Sequence, residues 1–223
     1  MSAEEKQTYL GKKYDSKIYS QGYYEKAKIG EKNMTGKQMT RSSDMDEYIC
    51  YVNCIMQETS VWCSAATIQQ ALETMNWNDV IDITVASQQN IMNVVGNGPG
   101  LQTLLNYINN QQSAIHYVKA NYSDESDLLS WLSYSAYHGS PTILHMSTTS
   151  ANVSAGYWPY YTSGHYTNLD GKTYDGRWIV SDPYYYSKYV SSPEYDGWHN
   201  RTYTHIATVN GNKYGSNNKT IGF

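Results

Sequence analysis

The chain has 223 residues, of which 40% are hydrophobic and 16% charged, and its net charge is −4. That length is ample for one domain with a buried core. The 16 Lys and Arg residues form no uninterrupted basic run, so we expect no nucleic-acid partner, since phosphate binding needs a concentrated positive surface. No segment approaches the roughly 20 apolar residues that cross a bilayer, and we do not expect a membrane-spanning protein.

The first part of the chain differs in composition from the rest. Residues 1–45 hold nine basic and six acidic residues, a net charge of +3, whereas the remainder carries −7. Aliphatic residues are scattered there, so this segment cannot bury enough surface to fold alone. We predict a basic polar extension over 1–45, which is disordered, docked on the domain or a prosegment, and a single domain over 46–223. Nothing near Met1 has the apolar region of a signal peptide, which leaves a cytoplasmic protein or a processed form open.

The first predicted helix carries a cysteine. Ser60 precedes apolar residues at helical spacing, and we predict a helix with Ser60 as its N-cap and an end near Met75; the spaced residues are Val61, Ala65, Ile68 and Leu72. Cys63 falls nearly opposite the centre of this apolar stripe. It also lies in the first turn, where unpaired backbone N–H groups and the helix dipole favour a thiolate. We interpret Cys63 as a nucleophile; the competing interpretation is a buried structural thiol.

Helices are predicted first and strands later. Two further helices are predicted over 100–109 and 124–137. Short strands follow, rich in β-branched and aromatic residues, at 141–146, 165–169, 177–181 and 202–209. This order favours an α+β fold with an antiparallel sheet. The glycine-rich run 96–100 lacks the spacing and the lysine of a phosphate-binding loop, and we predict a plain turn.

A nucleophilic cysteine needs a base and a group that orients the base. His165 begins a predicted strand, and a hairpin closed over 170–176 places it opposite Ser181 or, after a shift of one residue, opposite Asp182. The sequence therefore predicts a contact between His165 and Asp182 that depends on the register. His205 is the rival base, and an ordinary turn aspartate is the competing interpretation of Asp182.

The last candidate group is a donor for a developing negative charge. Gln57 stands six residues before Cys63, near enough for its amide to share an oxyanion with the Cys63 backbone N–H, although an ordinary loop residue is equally compatible. These residues suit acyl transfer: Cys63 attacks a carbonyl, His165 moves the proton, Asp182 orients His165, and Gln57 stabilises the tetrahedral charge. The remaining histidines show no metal-ligand spacing with Cys or Asp and are interpreted as surface or core residues: His116, His138, His145 and His199. We expect no metal and no cofactor.

Two sets of strings resemble papain-like cysteine peptidases. The first set is YVNCIMQ at 51–57 and WCSAA at 62–66, with the Gln-to-Cys spacing of six. The second set consists of HGSPTIL at 138–144, SGHY at 163–166, DG at 170–171 and VSDP at 180–183. Their order is similar to that of the bacterial double-glycine (bacteriocin) leader peptidases, and especially their stand-alone relatives. The resemblance covers roughly residues 48–190. It implies a papain-like fold in which an N-terminal helical part with the nucleophile packs on a C-terminal antiparallel sheet.

The resemblance also implies a function. It implies a thiolate–imidazole peptidase that cleaves a peptide or protein substrate through an acyl-enzyme, with the roles of Cys63, His165, Asp182 and Gln57 as given above. This chain departs from the family at Ser64, where glycine is usual. Tyrosines cluster at 157–166 and 184–189, and the segment 147–163 is expected to cover the cleft or to recognise a ligand. The residues expected to contact substrate are Trp62, Trp158, Gly164 and Tyr166.

Two alternatives stay open at this point. The same domain suits a Tyr/Trp-rich binding module for a surface peptide or glycan, or a peptide ligase or deamidase with the same residues. Cys50 and Cys54 pair in a disulfide if the protein is extracellular and are two small buried side chains if it is cytoplasmic. The few charges and the many Tyr, Asn, Ser and Trp residues are more typical of exported bacterial proteins. We therefore expect an extracellular or cell-surface location on a bacterium.

Overall fold

The computed structural model describes residues 48–50, 52–172, 176–184 and 197–223. The predicted extension over 1–45 and most of the tyrosine cluster at 184–189 lie outside these residues. In chain order the elements are β1 (Tyr48–Ile49), α1 (Cys63–Trp77), α2 (Gln88–Val95), α3 (Leu101–Gln111), β2 (Lys119–Asn121), α4 (Glu125–Tyr137), β3 (Thr142–Met146), α5 (Ser150–Ser154), β4 (His165–Lys172), β5 (Trp178–Ser181), β6 (Trp198–Arg201), α6 (Tyr203–Tyr214) and β7 (Thr220–Gly222).

The strands form one sheet in the order β2-β7-β3-β4-β5-β6, and β1 pairs with the end of β4. Every strand pair within the described residues is antiparallel. Most of the helical part precedes the central strands β3, β4 and β5. The predicted α+β class, with an N-terminal helical part and a C-terminal antiparallel sheet, is confirmed. No helix in the described part of the chain combines the length and apolarity needed to cross a bilayer.

Helices cover both faces of the sheet. Because side chains alternate along a strand, Ile143 of β3 packs in a core with α1, α2 and α3, whereas Leu144 and Met146 pack in a second core with α4 and α6. Burial of each large apolar side chain contributes about 1.5–3 kcal/mol. The two cores therefore clamp β3 and β4 between helices, and β4 is the strand that begins with His165.

The prediction of a strand over 202–209 is wrong, because these residues begin α6. Thr202 caps the helix by accepting a hydrogen bond from the backbone N of His205. Ile206 and Val209 then lie one turn apart and are buried in the second core. The β-branched composition of TYTHIATV favoured a strand, but the N-cap and the buried stripe decide the local structure.

Helix α2 was not predicted from the sequence. Ser87 accepts a hydrogen bond from the backbone N of Asn90 at its start, and Gly96, with φ of +72°, ends it. Both signals were present in the sequence, next to a short stripe at Ile91, Met92 and Val95. The run 96–100 is the turn between α2 and α3, as predicted.

Gly139 follows α4 and packs against Asn78 at the end of α1. Its φ is +70°, and an added Cβ would lie 2.9 Å from Cβ of Asn78. We expect Gly139→Ala to lower the free energy of unfolding by about 2–4 kcal/mol, from the left-handed backbone and the overlap together. Gly156 is the matched control, because its φ is +73° and no atom lies within 4 Å of an added Cβ.

For Gly156→Ala we expect a loss of about 1–2 kcal/mol, which is the backbone contribution alone. Urea denaturation followed by circular dichroism measures both values. Equal losses in the two variants would show that the overlap between the added Cβ and Asn78 does not destabilise the protein.

Candidate active site

Cys63 is the first residue of α1. Trp62 occupies the N-cap position without a side-chain cap, so the predicted cap at Ser60 is two residues too early. The thiol is half-buried and contacts the backbone N–H groups of Ser64 and Tyr166. Helix α1 therefore presents Cys63 at its positive end, where first-turn amides lack intrahelical acceptors.

The protonation of Cys63 is set by His165. Burial alone would raise the pKa of the Cys63 thiol, but the charge of His165, a hydrogen bond from its ring and the two backbone N–H groups lower that pKa below its ordinary value. Burial would likewise lower the pKa of His165, but the charges of Asp182 and Cys63 raise it to about 10. The cysteine loses its proton before the imidazolium does, so the favoured state is a thiolate–imidazolium pair.

Asp182 holds the other side of the imidazole. His165 Nε2 donates to Asp182 Oδ1 at 2.8 Å, and the two side chains are 5% and 0% exposed. Because Nε2 is engaged by the acid, Nδ1 is the ring nitrogen that remains for the thiol. The predicted set of cysteine, histidine and acid thus meets at one place in the structure.

The strand pairing that brings Asp182 to His165 has a different register from the predicted one. His165 pairs with Met146 of β3, and Asn168 is the residue opposite Ser181. A bulge between Leu169 and Gly171 and a longer β4 produce this shift. If the ladder continued, Asp182 would face Thr167, and His165 would be its diagonal neighbour on the same face, within reach of long side chains.

The carboxylate of Asp182 has further donors that the sequence did not indicate. Oδ1 also accepts from the backbone N of Tyr184 at 3.0 Å. Oδ2 accepts from the Tyr160 hydroxyl at 2.5 Å and from His199 Nε2 at 3.2 Å. Burial would raise the pKa of Asp182, but the charges and hydrogen bonds of His165 and His199 hold it well below its usual range. Asp182 is therefore an anion at neutral pH.

Tyr160 and His199 carried no local signal. His199 was interpreted as a surface or core residue, and its position follows only from the pairing of β6 with β5, which sets it opposite Val180. His205, the rival base, lies on α6 and stacks on the ring of Tyr157 at 4.6 Å. The structure thus brings His165, and not His205, to Cys63.

Gln57 is buried, and its side chain is engaged within its own loop. Nε2 donates to the carbonyl of Thr59 at 2.6 Å, and Oε1 has no hydrogen-bond partner among the described residues. The backbone N of Gln57 donates to the carbonyl of Pro183 at 3.2 Å, which ties the loop to the Asp182 segment. The oxyanion role of Gln57 stays a prediction that requires the amide to leave Thr59.

Among the four residues expected to contact substrate, two have accessible surface. Gly164 is exposed and Trp62 is half-buried. Tyr166 is buried, donates its hydroxyl to Pro99 O at 2.6 Å, and stacks on His145 at 4.0 Å. Trp158 is 1% exposed and packs against His199. The side chains of Tyr166 and Trp158 therefore pack beneath the surface of the protein next to the site, and they are not placed for substrate contact.

The three cysteines are reduced thiols with different environments. Cys54 donates to the backbone oxygen of Asp182 at 3.6 Å, and Cys50 accepts from Asn78 Nδ2 at 3.7 Å. Of the two open interpretations, a disulfide or two separate thiols, the structure has the separate thiols. Burial and the charges of Asp170 and Asp182 raise the pKa of Cys54. Cys63 is thus the acidified thiol, next to a cation. The described residues hold no cluster of His, Cys, Asp and Glu that would suit a metal ion.

A scan of the chain against protein families finds no match, and a search of curated proteins finds none either. Among solved structures, the chain is similar to a double glycine motif protease from an AMS/PCAT transporter, crystallised in complex with the leader peptide. The TM-score is 0.46 at 14% identity, and the likeness covers 78% of this chain and 91% of that chain. At this level of likeness, the assignment of a function rests on the side-chain geometry.

The site geometry predicts an unusual pH dependence for Cys63. We expect iodoacetamide to alkylate Cys63 at pH values below about 8.5, the pKa of an ordinary thiol, because its lowered pKa keeps it a thiolate there. The reactive plateau should extend upward until His165 loses its proton near its pKa of about 10. Mass spectrometry of the labelled peptides gives the rate at each pH.

The same protein unfolded in urea is the control, since unfolding removes His165 from the thiol. Cys54 should stay unreactive in the folded protein, because its pKa is raised. A folded-state profile for Cys63 that coincides with the unfolded one would contradict the thiolate–imidazolium pair.

Proposed function

We propose that this chain is a papain-like cysteine peptidase that hydrolyses peptide bonds through an acyl-enzyme. The observation that carries the proposal is the buried contact of His165 with Asp182, next to a thiol whose pKa is lowered. Cysteine nucleophiles need this combination of acidified thiol, imidazole and orienting group.

In the acylation step, the Cys63 thiolate attacks the carbonyl carbon of the scissile bond. The electron pair of the C=O bond moves to oxygen and gives a tetrahedral oxyanion. As that oxyanion collapses, the C–N bond breaks and His165 gives its proton to the leaving amine. A thioester on Cys63 and a neutral imidazole remain, while Asp182 stays an anion throughout.

In the deacylation step, water replaces the amine. The neutral imidazole of His165 takes a proton from water while the water oxygen attacks the thioester carbon. Collapse of the second tetrahedral species breaks the C–S bond and releases a carboxylic acid. The thiolate then faces an imidazolium again, which is the starting state.

The oxyanion is stabilised by the start of α1. The first-turn N–H groups lack intrahelical acceptors and lie at the positive end of the helix dipole. Gln57 Nε2 adds a donor when it exchanges Thr59 O for the substrate, and loss of one such donor typically costs about 10²–10³ in kcat. We therefore expect Gln57→Ala to lower kcat more than it changes KM, as a kinetic comparison of the two proteins would measure.

The surface next to these residues suits a peptide. Met56, Val61 and Tyr161 are exposed by 39%, 57% and 65%, and they stand beside Gln57, Cys63 and the loop before His165 in the chain. Exposed apolar side chains in chain segments that neighbour the site residues offer contacts to an extended peptide or protein chain.

A mixed peptide library tests the proposed function. New carboxyl and amino termini identified by mass spectrometry should appear with the unsubstituted chain and be lost with Cys63→Ala. Cys50→Ala is the matched control, because Cys50 is buried against Asn78 and takes no part in the chemistry. A complete lack of cleavage, with alkylation of Cys63 intact, would overturn the peptidase proposal in favour of a binding role.

Hydroxylamine added to the same reaction separates hydrolysis from transfer. Products that end in a carboxylate indicate that water is the acceptor. Products that form only when hydroxylamine is present, and that end in a hydroxamate, would favour a transferase that uses the same acyl-enzyme.

A further inference from the structure

The hydrogen bonds of Asp182 continue beyond the pair with His165 into a second set of side chains. Within the described residues, donors contact both oxygens of the carboxylate: His165 and the backbone N of Tyr184 on Oδ1, and Tyr160 and His199 on Oδ2. A carboxylate offers about four acceptor sites. These four bonds engage both oxygens, so they restrain the rotation of the carboxylate about its Cβ–Cγ bond.

The two donors to Oδ2 come from different parts of the fold. Tyr160 belongs to the loop between α5 and β4, and His199 belongs to β6. Each ring is also held by packing: Tyr160 lies edge-on to His165 at 5.6 Å, and His199 lies edge-on to Trp158 at 4.8 Å. Neither ring depends on the hydrogen bond alone for its position.

This part of the cluster is closed to water. The side chains of His199 and Asp182 are both 0% exposed. A buried carboxylate oxygen cannot replace a lost donor with bulk water, so each bond to Oδ2 matters more than the same bond would at the surface.

We propose that Tyr160 and His199 are positioning residues of the site, which together hold Oδ2 of Asp182 so that Oδ1 stays an ionised, oriented acceptor for His165. This inference rests on the proposed function and adds two residues that bond to Asp182. They act through Asp182, which acts through His165.

The physical consequence reaches the thiol in two steps. Removal of a donor from Oδ2 lets the carboxylate turn, so Oδ1 moves out of its present alignment with His165 Nε2. The imidazolium of His165 then loses part of this hydrogen bond and releases its proton more readily. Because that cation is what stabilises the Cys63 thiolate, the thiol holds its proton to a higher pH.

Other ionisable groups face the cluster and remain unchanged in the variants below. They are Cys54, Asp170, His145, Lys213 and Arg201. Burial, with the charges of Lys213 and His165, lowers the pKa of His145 to about 3, so His145 is neutral across the range tested. Burial raises the pKa of Asp170, and its effect is common to all variants.

The test measures the pH profile of Cys63 alkylation by iodoacetamide from about pH 5 to about pH 9, which brackets the ordinary thiol pKa. The proteins are the unsubstituted chain, Tyr160→Phe, His199→Leu and His199→Gln. His205→Leu is the control, because it makes the same change at a histidine that is only half-buried and stacks on Tyr157. Thermal unfolding reports whether each variant is folded.

We expect Tyr160→Phe and His199→Leu each to raise the midpoint of the profile by about one pH unit, a tenfold change in the proton equilibrium. His199→Gln keeps a donor near the position of Nε2, so its midpoint should return most of the way to that of the unsubstituted chain. A purely structural role would not predict this return. His205→Leu should match the unsubstituted chain. With a peptide cleaved by the chain, kcat should fall by about tenfold while KM changes little.

The outcomes separate this inference from the proposed function. If Tyr160→Phe is folded and its midpoint is as low as that of the unsubstituted chain, the positioning role is overturned. This holds whether or not His199→Leu folds. An ordinary midpoint in the unsubstituted chain overturns both proposals. A midpoint that is acidified and moves in the variants, without any peptide cleavage, sustains the positioning role and overturns the peptidase proposal.

Discussion

The ionisation of one buried carboxylate organises the site. Asp182 is fully buried, and an unpaired charge at such a place costs about several kcal/mol even after relaxation. Its donors come from β4, from the loop before β4, from β6 and from the chain just after Asp182 itself. The anion is therefore stable only when these segments are in place together, and the same condition sets the orientation of His165 toward Cys63.

Neighbouring charge, and not burial, separates Asp182 and Cys63 from Asp170 and Cys54. Asp170 is as buried as Asp182, but its donors are the Ser181 hydroxyl and backbone N–H groups, and its pKa is raised. Cys54 and Cys63 differ in the same way: Cys54 lies near two carboxylates and holds its proton, while Cys63 lies near an imidazolium and loses it. The pKa shifts of the two acids thus have opposite directions, and so do those of the two thiols.

The sequence predicted Cys63, His165 and Asp182, which local patterns and the hairpin order indicate. It did not indicate Tyr160 and His199. The apolar spacing of α1 and the helix dipole indicated Cys63, and the hairpin order brought His165 and Asp182 together even though the predicted register was wrong. Tyr160 and His199 depend on loop packing and on the pairing of β6 with β5, which no local pattern encodes. The helix α6 was missed because its β-branched residues favoured a strand, while its burial depends on the second core.

A polar layer fixes how α1 lies on the sheet, and this determines whether Cys63 can meet His165. Apolar contacts are non-directional and resist sliding weakly. Asn168 Nδ2 donates to Gln70 Oε1 at 2.8 Å and to Thr67 O at 3.3 Å, which pins the helix to β4. Positions 63, 67 and 70 share one helix face, so the bonds that set the register of Gln70 also set the position of the thiol. Because Asn168 and His165 belong to the same strand, β4 locates both Cys63 and His165, the proposed nucleophile and base.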